Sequence, residues 1–158
     1  LLSLKSNDFP IYYLSPRGIK LDNQISNSIS KLDGMTLVCG KYEGVDERVI
    51  KHYNMIEISI GDYILSGGDL AAMVLIDSVV RCLPNVLGNP LTLNEESFTN
   101  HLLEYPLYTQ PREWKNYKVP DVLLSGDHKK IKNWKIKQSE DITMKRRPDL
   151  WKKYLKLK

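Results

Sequence analysis

Two glycine-rich turns, each set directly after a short β-branched run and directly before a helical pattern, constrain this chain more than any other feature. The first reads Val38-Cys39-Gly40-Lys41-Tyr42-Glu43-Gly44-Val45-Asp46-Glu47-Arg48, and the second Ser59-Ile60-Gly61-Asp62-Tyr63-Ile64-Leu65-Ser66-Gly67-Gly68-Asp69. A strand that feeds a helix through such a turn presents backbone N–H and C=O groups at the carboxyl edge of a parallel sheet, where a small cofactor binds.

The segments around the turns alternate accordingly. Ile11 to Leu14 predicts a strand, and Asp22 opens a helix with Ile25, Ile29 and Leu32 on one face, ended by Gly34. Met35 to Cys39 predicts a second strand, Val45 to His52 a short helix and Met55 to Ile60 a third strand. Asp69 to about Arg81 predicts a longer helix presenting Leu70, Met73, Val74 and Asp77. The order βαβαβα argues an α/β fold with a parallel sheet covered by helices. Residues 82–93, with Pro84, Asn85, Gly88, Asn89 and Pro90, carry turn chemistry and divide a domain over 1–81 from a helical one over 94–158. In the latter, helices are expected over Asn94 to Leu103, around Lys129 to Ser139 and from Pro148, whose fixed φ suits a first turn.

Composition excludes several classes. A chain of 158 residues with 42% hydrophobic content can bury a real core. No apolar run approaches the roughly 20 residues that a membrane helix needs, and nothing has the pattern of a signal peptide, so the chain reads as soluble, cytoplasmic and without a membrane partner. Cys39 and Cys82 lack metal-ligand spacing and are expected as free thiols acting as small buried hydrophobes. The turns do not make a nucleotide-dependent oxidoreductase either, because no G-x-G-x-x-G joins a strand to a helix.

Charge is unevenly spread. Lys129 to Lys158 hold twelve Lys or Arg and three acids, whereas the first 128 residues hold eleven basic and sixteen acidic side chains. Such a block is often only a solvated helix face. Interleaved Trp134, Trp151 and Tyr154 point to nucleic acid, since aromatic and cationic groups together suit phosphate contact and base stacking; they serve equally as the helices' own core face.

Five motifs in one order carry a resemblance. Tyr13-Leu14-Ser15-Pro16-Arg17-Gly18, Cys39 to Arg48, Ser59 to Asp69, Asp77-Ser78-Val79-Val80-Arg81 and Val122-Leu123-Leu124-Ser125-Gly126-Asp127-His128 together resemble the bacterial tRNA (guanine-N1)-methyltransferase family over almost the whole chain. Members methylate the guanosine on the 3′ side of the anticodon and carry a further half-domain ahead of the position of Leu1, so the chain, which opens without methionine, is expected to be a fragment. The resemblance implies a trefoil knot made by the loops Tyr13–Gly18, Gly40–Gly44 and Ile60–Gly68, a rare exception to unknotted topology. It places S-adenosylmethionine within that knot, against Tyr13, Leu14, Ser15, Pro16, Gly40, Tyr42, Glu43, Ile60, Gly61, Asp62, Tyr63, Ile64, Leu65, Gly67 and Gly68. It further implies a homodimer, the anticodon stem-loop of tRNA as partner, and Mg²⁺ held by carboxylates such as Glu43 and Glu104.

The chemistry asks for a base to take the proton from guanine N1 and a cation for the charge developing on O6. By resemblance these are Glu96, standing where the family has aspartate, and Arg81. From the residues alone, Glu95 and Glu96 are equally acids at a helix start, stabilised by its dipole. A non-catalytic RNA-binding protein, or an inactive fragment of the same fold, is the alternative.

Overall fold

The computed structural model describes residues 9–41, 43–86 and 96–158, and the chain divides into two compact units at residues 88 and 89. Of the expected linker 82–93, residues 87–93 lie outside the described residues, as does Tyr42.

In the first unit, strands β1 (Ile11–Lys20), β2 (Thr36–Cys39) and β3 (Ile56–Ser59) form a parallel sheet in the order β2-β1-β3. Helices α1 (Asn23–Ile29), α2 (Glu47–His52) and α3 (Asp69–Val80) alternate with them. Because successive strand residues face opposite ways, β1 serves two cores. Tyr12 and Leu14 pack with Ile58, Ile29 of α1 and Ala71, Ala72, Leu75 and Val79 of α3. Tyr13 points to the other face, with Ile50 of α2 and Met55. Both helices that follow an acid are capped by it: Asp22 accepts from Ile25 N–H, and Asp46 from Arg48 N–H.

The first strand is longer than the predicted Ile11–Leu14. Leu14 and Ile19 both fall opposite Ile58, so Ser15 to Gly18 bulge out before the strand pairs with β3 again. Gly18 makes this possible, because a Cβ there would run into the backbone of Glu57 and Ile58.

Helix α3 presents Leu70, Met73, Val74 and Asp77 to solvent and buries Ala71, Ala72, Leu75 and Val79 on its other face; the small alanines let the helix lie close on the sheet. Two other expectations are corrected. Cys39 is exposed and Cys82 half-buried, so neither is a core residue. Cys39 is the last residue of β2, at the end of the sheet, where burial and then Asp69 push its thiol pKa up. Among the described residues of 94–103 there is no α-helix. Only a 3₁₀ turn, Thr99–His101, forms there, with Phe98, Asn100 and His101 at positive φ.

The second unit continues with a hairpin of β4 (Glu113–Trp114) and β5 (Tyr117–Lys118), then α4 (Asp121–Leu124), α5 (His128–Arg146) and α6 (Pro148–Leu155). Helix α5 runs well beyond the predicted Ser139. Thr143, fully buried, bends its hydroxyl back to the Ser139 carbonyl at 2.6 Å and accepts the Leu103 N–H at 2.8 Å. No described helix is long and apolar enough to cross a membrane.

Candidate functional site

A cavity of about 440 Å³ opens at the carboxyl edge of the sheet. Its walls are three stretches of chain: the β1 bulge, the loop after β2 and the long segment between β3 and α3. The third has the most demanding path. β3 lies on the far side of β1 from β2, yet Gly67 bridges to Lys41 and the Gly68 N–H donates to the Gly40 carbonyl at 2.9 Å. The segment therefore crosses the end of β1 to reach the exit of β2. Gly68 allows the closing approach, since a Cβ there would stand 2.9 Å from Cys39 Cα and 3.0 Å from Gly40 N.

The remaining walls are fastened by side chains. The Tyr13 hydroxyl accepts the Val45 N–H at 3.2 Å, which holds the 40–45 loop down over the buried ring. Ser59 closes the turn after β3 twice, its hydroxyl donating to Gly61 O at 3.1 Å and accepting from Gly61 N–H at 3.2 Å. The Tyr63 hydroxyl donates to Ile60 O at 3.2 Å. Arg17 reaches from the bulge to Glu57 at 3.0 Å and Glu47 at 3.4 Å, and these carboxylates, Glu57 foremost, raise its pKa.

Thirteen of the residues expected around a cofactor line this cavity: Tyr13, Leu14, Ser15, Pro16, Gly40, Glu43, Ile60, Gly61, Tyr63, Ile64, Leu65, Gly67 and Gly68. Asp62 is not among the walls. Its side chain is 88% exposed and pairs with Lys20 at 3.2 Å, pointing out of the turn. Motif reading passed over Arg17, Lys41, Ser59 and Ser66, which also line it; Ser59, at a strand end two residues before a glycine, carried the turn signal that could have found it.

The residues expected to act on guanine are not among the residues that line this cavity. Arg81 caps the far end of α3, about 20 Å of helix from Gly68 at roughly 1.5 Å per residue, which is farther than an arginine side chain reaches. Glu96 and Glu104 belong to the second unit, on a loop tied by Ser97 Oγ accepting Glu104 N–H at 3.0 Å and by Thr143 accepting Leu103 N–H. With no α-helix over the described residues 96–103, a helix dipole does not account for an acid at 96. The described residues hold no group of three His, Cys, Asp or Glu suited to a metal ion, so the implied Mg²⁺ finds no ligand set among them.

The aromatics of the basic region are turned inward. Trp134, Trp151 and Tyr154 are half-buried, with Trp134 6.2 Å from Tyr108 and Trp151 5.4 Å from Tyr154, ring to ring. The Tyr154 hydroxyl and Lys158 both donate to Glu140, at 2.6 and 2.7 Å, which lowers the Glu140 pKa.

A parallel α/β sheet with a cavity roofed by its own strand-exit loops is the class of architecture in which small ligands commonly bind, at the carboxyl edge of the sheet. The chain belongs to the family described as tRNA (Guanine-1)-methyltransferase TrmD, whose profile matches residues 1–153. Similar curated relatives, each named tRNA (guanine-N(1)-)-methyltransferase, come from Pelagibacter ubique, 58% identical over 92% of this chain and 64% of the relative, and Rhodospirillum rubrum, 53% identical over 94% and 62%. Another, from Ehrlichia canis, is 50% identical over 92% of this chain and 63% of the relative. The chain thus spans just under two-thirds of the length of these relatives.

Proposed function

We propose that this chain is the larger part of a tRNA methyltransferase that transfers a methyl group from S-adenosylmethionine to N1 of the guanosine 3′ of the anticodon, in the cytoplasm. The observation that carries the proposal is the cavity, walled by three strand-exit loops in a chain of this family. Its walls suit a nucleoside. Ile64 and Leu65 offer exposed apolar surface to an adenine, and the glycine-rich loops bring backbone donors and acceptors to its edge. Glu43, exposed at the rim, is placed to receive the cationic end. When bound, the cofactor supplies a methyl group on a sulfonium, so that forming the N1–carbon bond breaks the carbon–sulfur bond and leaves a neutral thioether. Glu96 takes the N1 proton as its carboxylate, and Arg81 meets the charge gathering on O6.

The loop path supports a knot as well. A segment that leaves β3, crosses the end of β1 and fastens to the exit of β2 is the kind of path that a knot in this sheet requires. The active unit in this reading is a symmetric dimer. Leu70, Met73, Val74, Ile76 and Val80 leave the outer side of α3 apolar and exposed, and a second copy packed there removes it from water. A partner running antiparallel along α3 also brings its Arg81 toward this cavity, which the chain's own Arg81 does not reach.

Calorimetry with S-adenosylmethionine, followed by methyl transfer to a tRNA transcript by the whole protein, tests the proposal. Cofactor binding by this chain and incorporation at N1 are expected, with incorporation lost in Arg81→Ala and in Glu96→Ala. A chain that binds tRNA but no cofactor is instead a non-catalytic RNA-binding protein.

A further inference from the structure

The aromatic residues most exposed in the second unit are not on its basic helices. Residues 107 to 118 are exposed throughout and carry Leu107, Tyr108, Trp114 and Tyr117 beside Arg112, Lys115 and Lys118, against the single acid Glu113. Trp114 is 59% and Tyr117 75% exposed, and the two are directly paired across the β4–β5 ladder. Opposed residues share a face of a hairpin, so both rings stand on one side, while Glu113 and Lys118 pair at 3.7 Å on the other.

The turn sharpens the arrangement. Lys115 and Asn116 both take positive φ, 46° and 66°, the signature of a two-residue type I′ loop, and the Val119 N–H extends the ladder to Arg112 O at 2.9 Å. Asparagine accepts such a position readily; lysine does not, and here it sets the Lys115 ammonium 4.9 Å from the centre of the Trp114 ring. The result is a short, stiff arm bearing an aromatic pair with a cation over one ring.

We infer that the β4–β5 hairpin is a stacking platform for an unpaired base of the RNA, with Trp114 as the ring that stacks and Lys115 as its cation. This rests on the proposal that the chain binds tRNA, and adds where a base is held. A polyanion fits the local excess of Arg112, Lys115 and Lys118, and a base fits a ring already paired with a cation. Strands of only two residues, each carrying a charged side chain (Glu113 on β4, Lys118 on β5), make a poor edge for another sheet, and two rings fall far short of the roughly 800 Å² per side of a stable protein interface. Only a base outside a duplex exposes a face to stack on.

The test titrates the full chain with two fluorescent RNAs, a stem closed by a single-stranded loop and the same stem as a blunt duplex. Trp114→Ala is expected to weaken binding of the stem-loop about tenfold, as for the loss of one base–aromatic stack. Binding of the duplex and the slope of affinity against salt should hold, because no phosphate loses its cation. Trp114→Phe should keep most of the wild-type affinity, and an unchanged circular-dichroism melt excludes misfolding. Wild type binding the stem-loop with Trp114→Ala binding it equally well overturns the inference. So does an equal loss for both RNAs, or a variant whose only change is weaker self-association in sedimentation, which would make the face a protein interface. If wild type binds neither RNA, the tRNA proposal itself fails.

Discussion

The two units are built on opposite principles. The first carries eight basic and ten acidic side chains, buries eleven apolar side chains on the two faces of a sheet, and shapes its cavity from backbone. The second carries fifteen basic and nine acidic side chains, and its described residues bury Leu150, Ser139 and Thr143. One is a scaffold whose stability comes from packing; the other is a set of polar helices whose shape rests on specific hydrogen bonds. A rigid pocket suits a small cofactor, whereas a hydrogen-bonded, cationic surface suits a large, hydrated polyanion.

Cutting into each core in turn is the strongest way to break the comparison. Leu75 is fully buried between α3 and the sheet, so Leu75→Ala should destabilise the first unit by about 2–5 kcal/mol. Denaturant unfolding followed by a probe in each unit checks it: the midpoint reported by Trp134 and Trp151 should stay put if the units are independent. Next, Thr143→Val removes an acceptor and leaves the half-buried Leu103 N–H without its partner, at a cost of about 1 kcal/mol to the second unit alone. That change should also cut methyl transfer, because the loop bearing Glu96 and Glu104 is held there; Thr143→Ser, which keeps the hydroxyl, should recover transfer.

Charge gives smaller and more graded effects. Lys129, Lys132 and Lys137 are exposed on α5, and replacing all three with glutamine should flatten the salt dependence of tRNA binding by up to about 0.9 log unit for each phosphate left without its lysine, with cofactor affinity unmoved. An unchanged slope would make them a solvated face. The smallest effect is that of acid. Lys158 and Tyr154 lower the Glu140 pKa, and Arg147 holds Asp149 at about 2, so both carboxyls ionise more readily folded than unfolded. Their stabilisation is present above the ordinary carboxyl range and is lost as pH falls through the folded values, from about 4 toward 2. The melting temperature of α5 and α6 should fall over that window, and Glu140→Gln should remove part of the dependence.

Legibility followed the same divide. Strands β2 and β3 and helix α3 stood within a residue of their predicted bounds, because β-branched runs and a helical pattern set directly after paired glycines are local signals. The return of β1 to β3 after its bulge was not legible, since pairing of Ile19 with Ile58 depends on a strand about forty residues away. The inward turn of Trp134, Trp151 and Tyr154 was likewise open until partners such as Tyr108 and Glu140 were in place. A helix over 94–103 failed in its described part for a physical reason: the side-chain bonds from Ser97 and Thr143 compete with the helical ladder for the backbone of Leu103 and Glu104. The hairpin at 113–118 hid in a Tyr/Pro-rich stretch because its turn is Lys-Asn rather than the usual Asn-Gly.

The crossing of β1 by the segment after β3 has one more consequence, a matter of contour length. Strands two apart in a sheet are separated by about 10 Å, whereas the eight residues from Ile60 to Gly67 could extend to roughly 27 Å. Most of that chain is slack, and with both ends tied it can only bow outward over the sheet edge. The bow is the roof of the cavity. The volume available to a ligand is therefore set by how many residues lie between two fixed anchors, and it can be lengthened or trimmed by a residue or two without disturbing the strand pairing beneath.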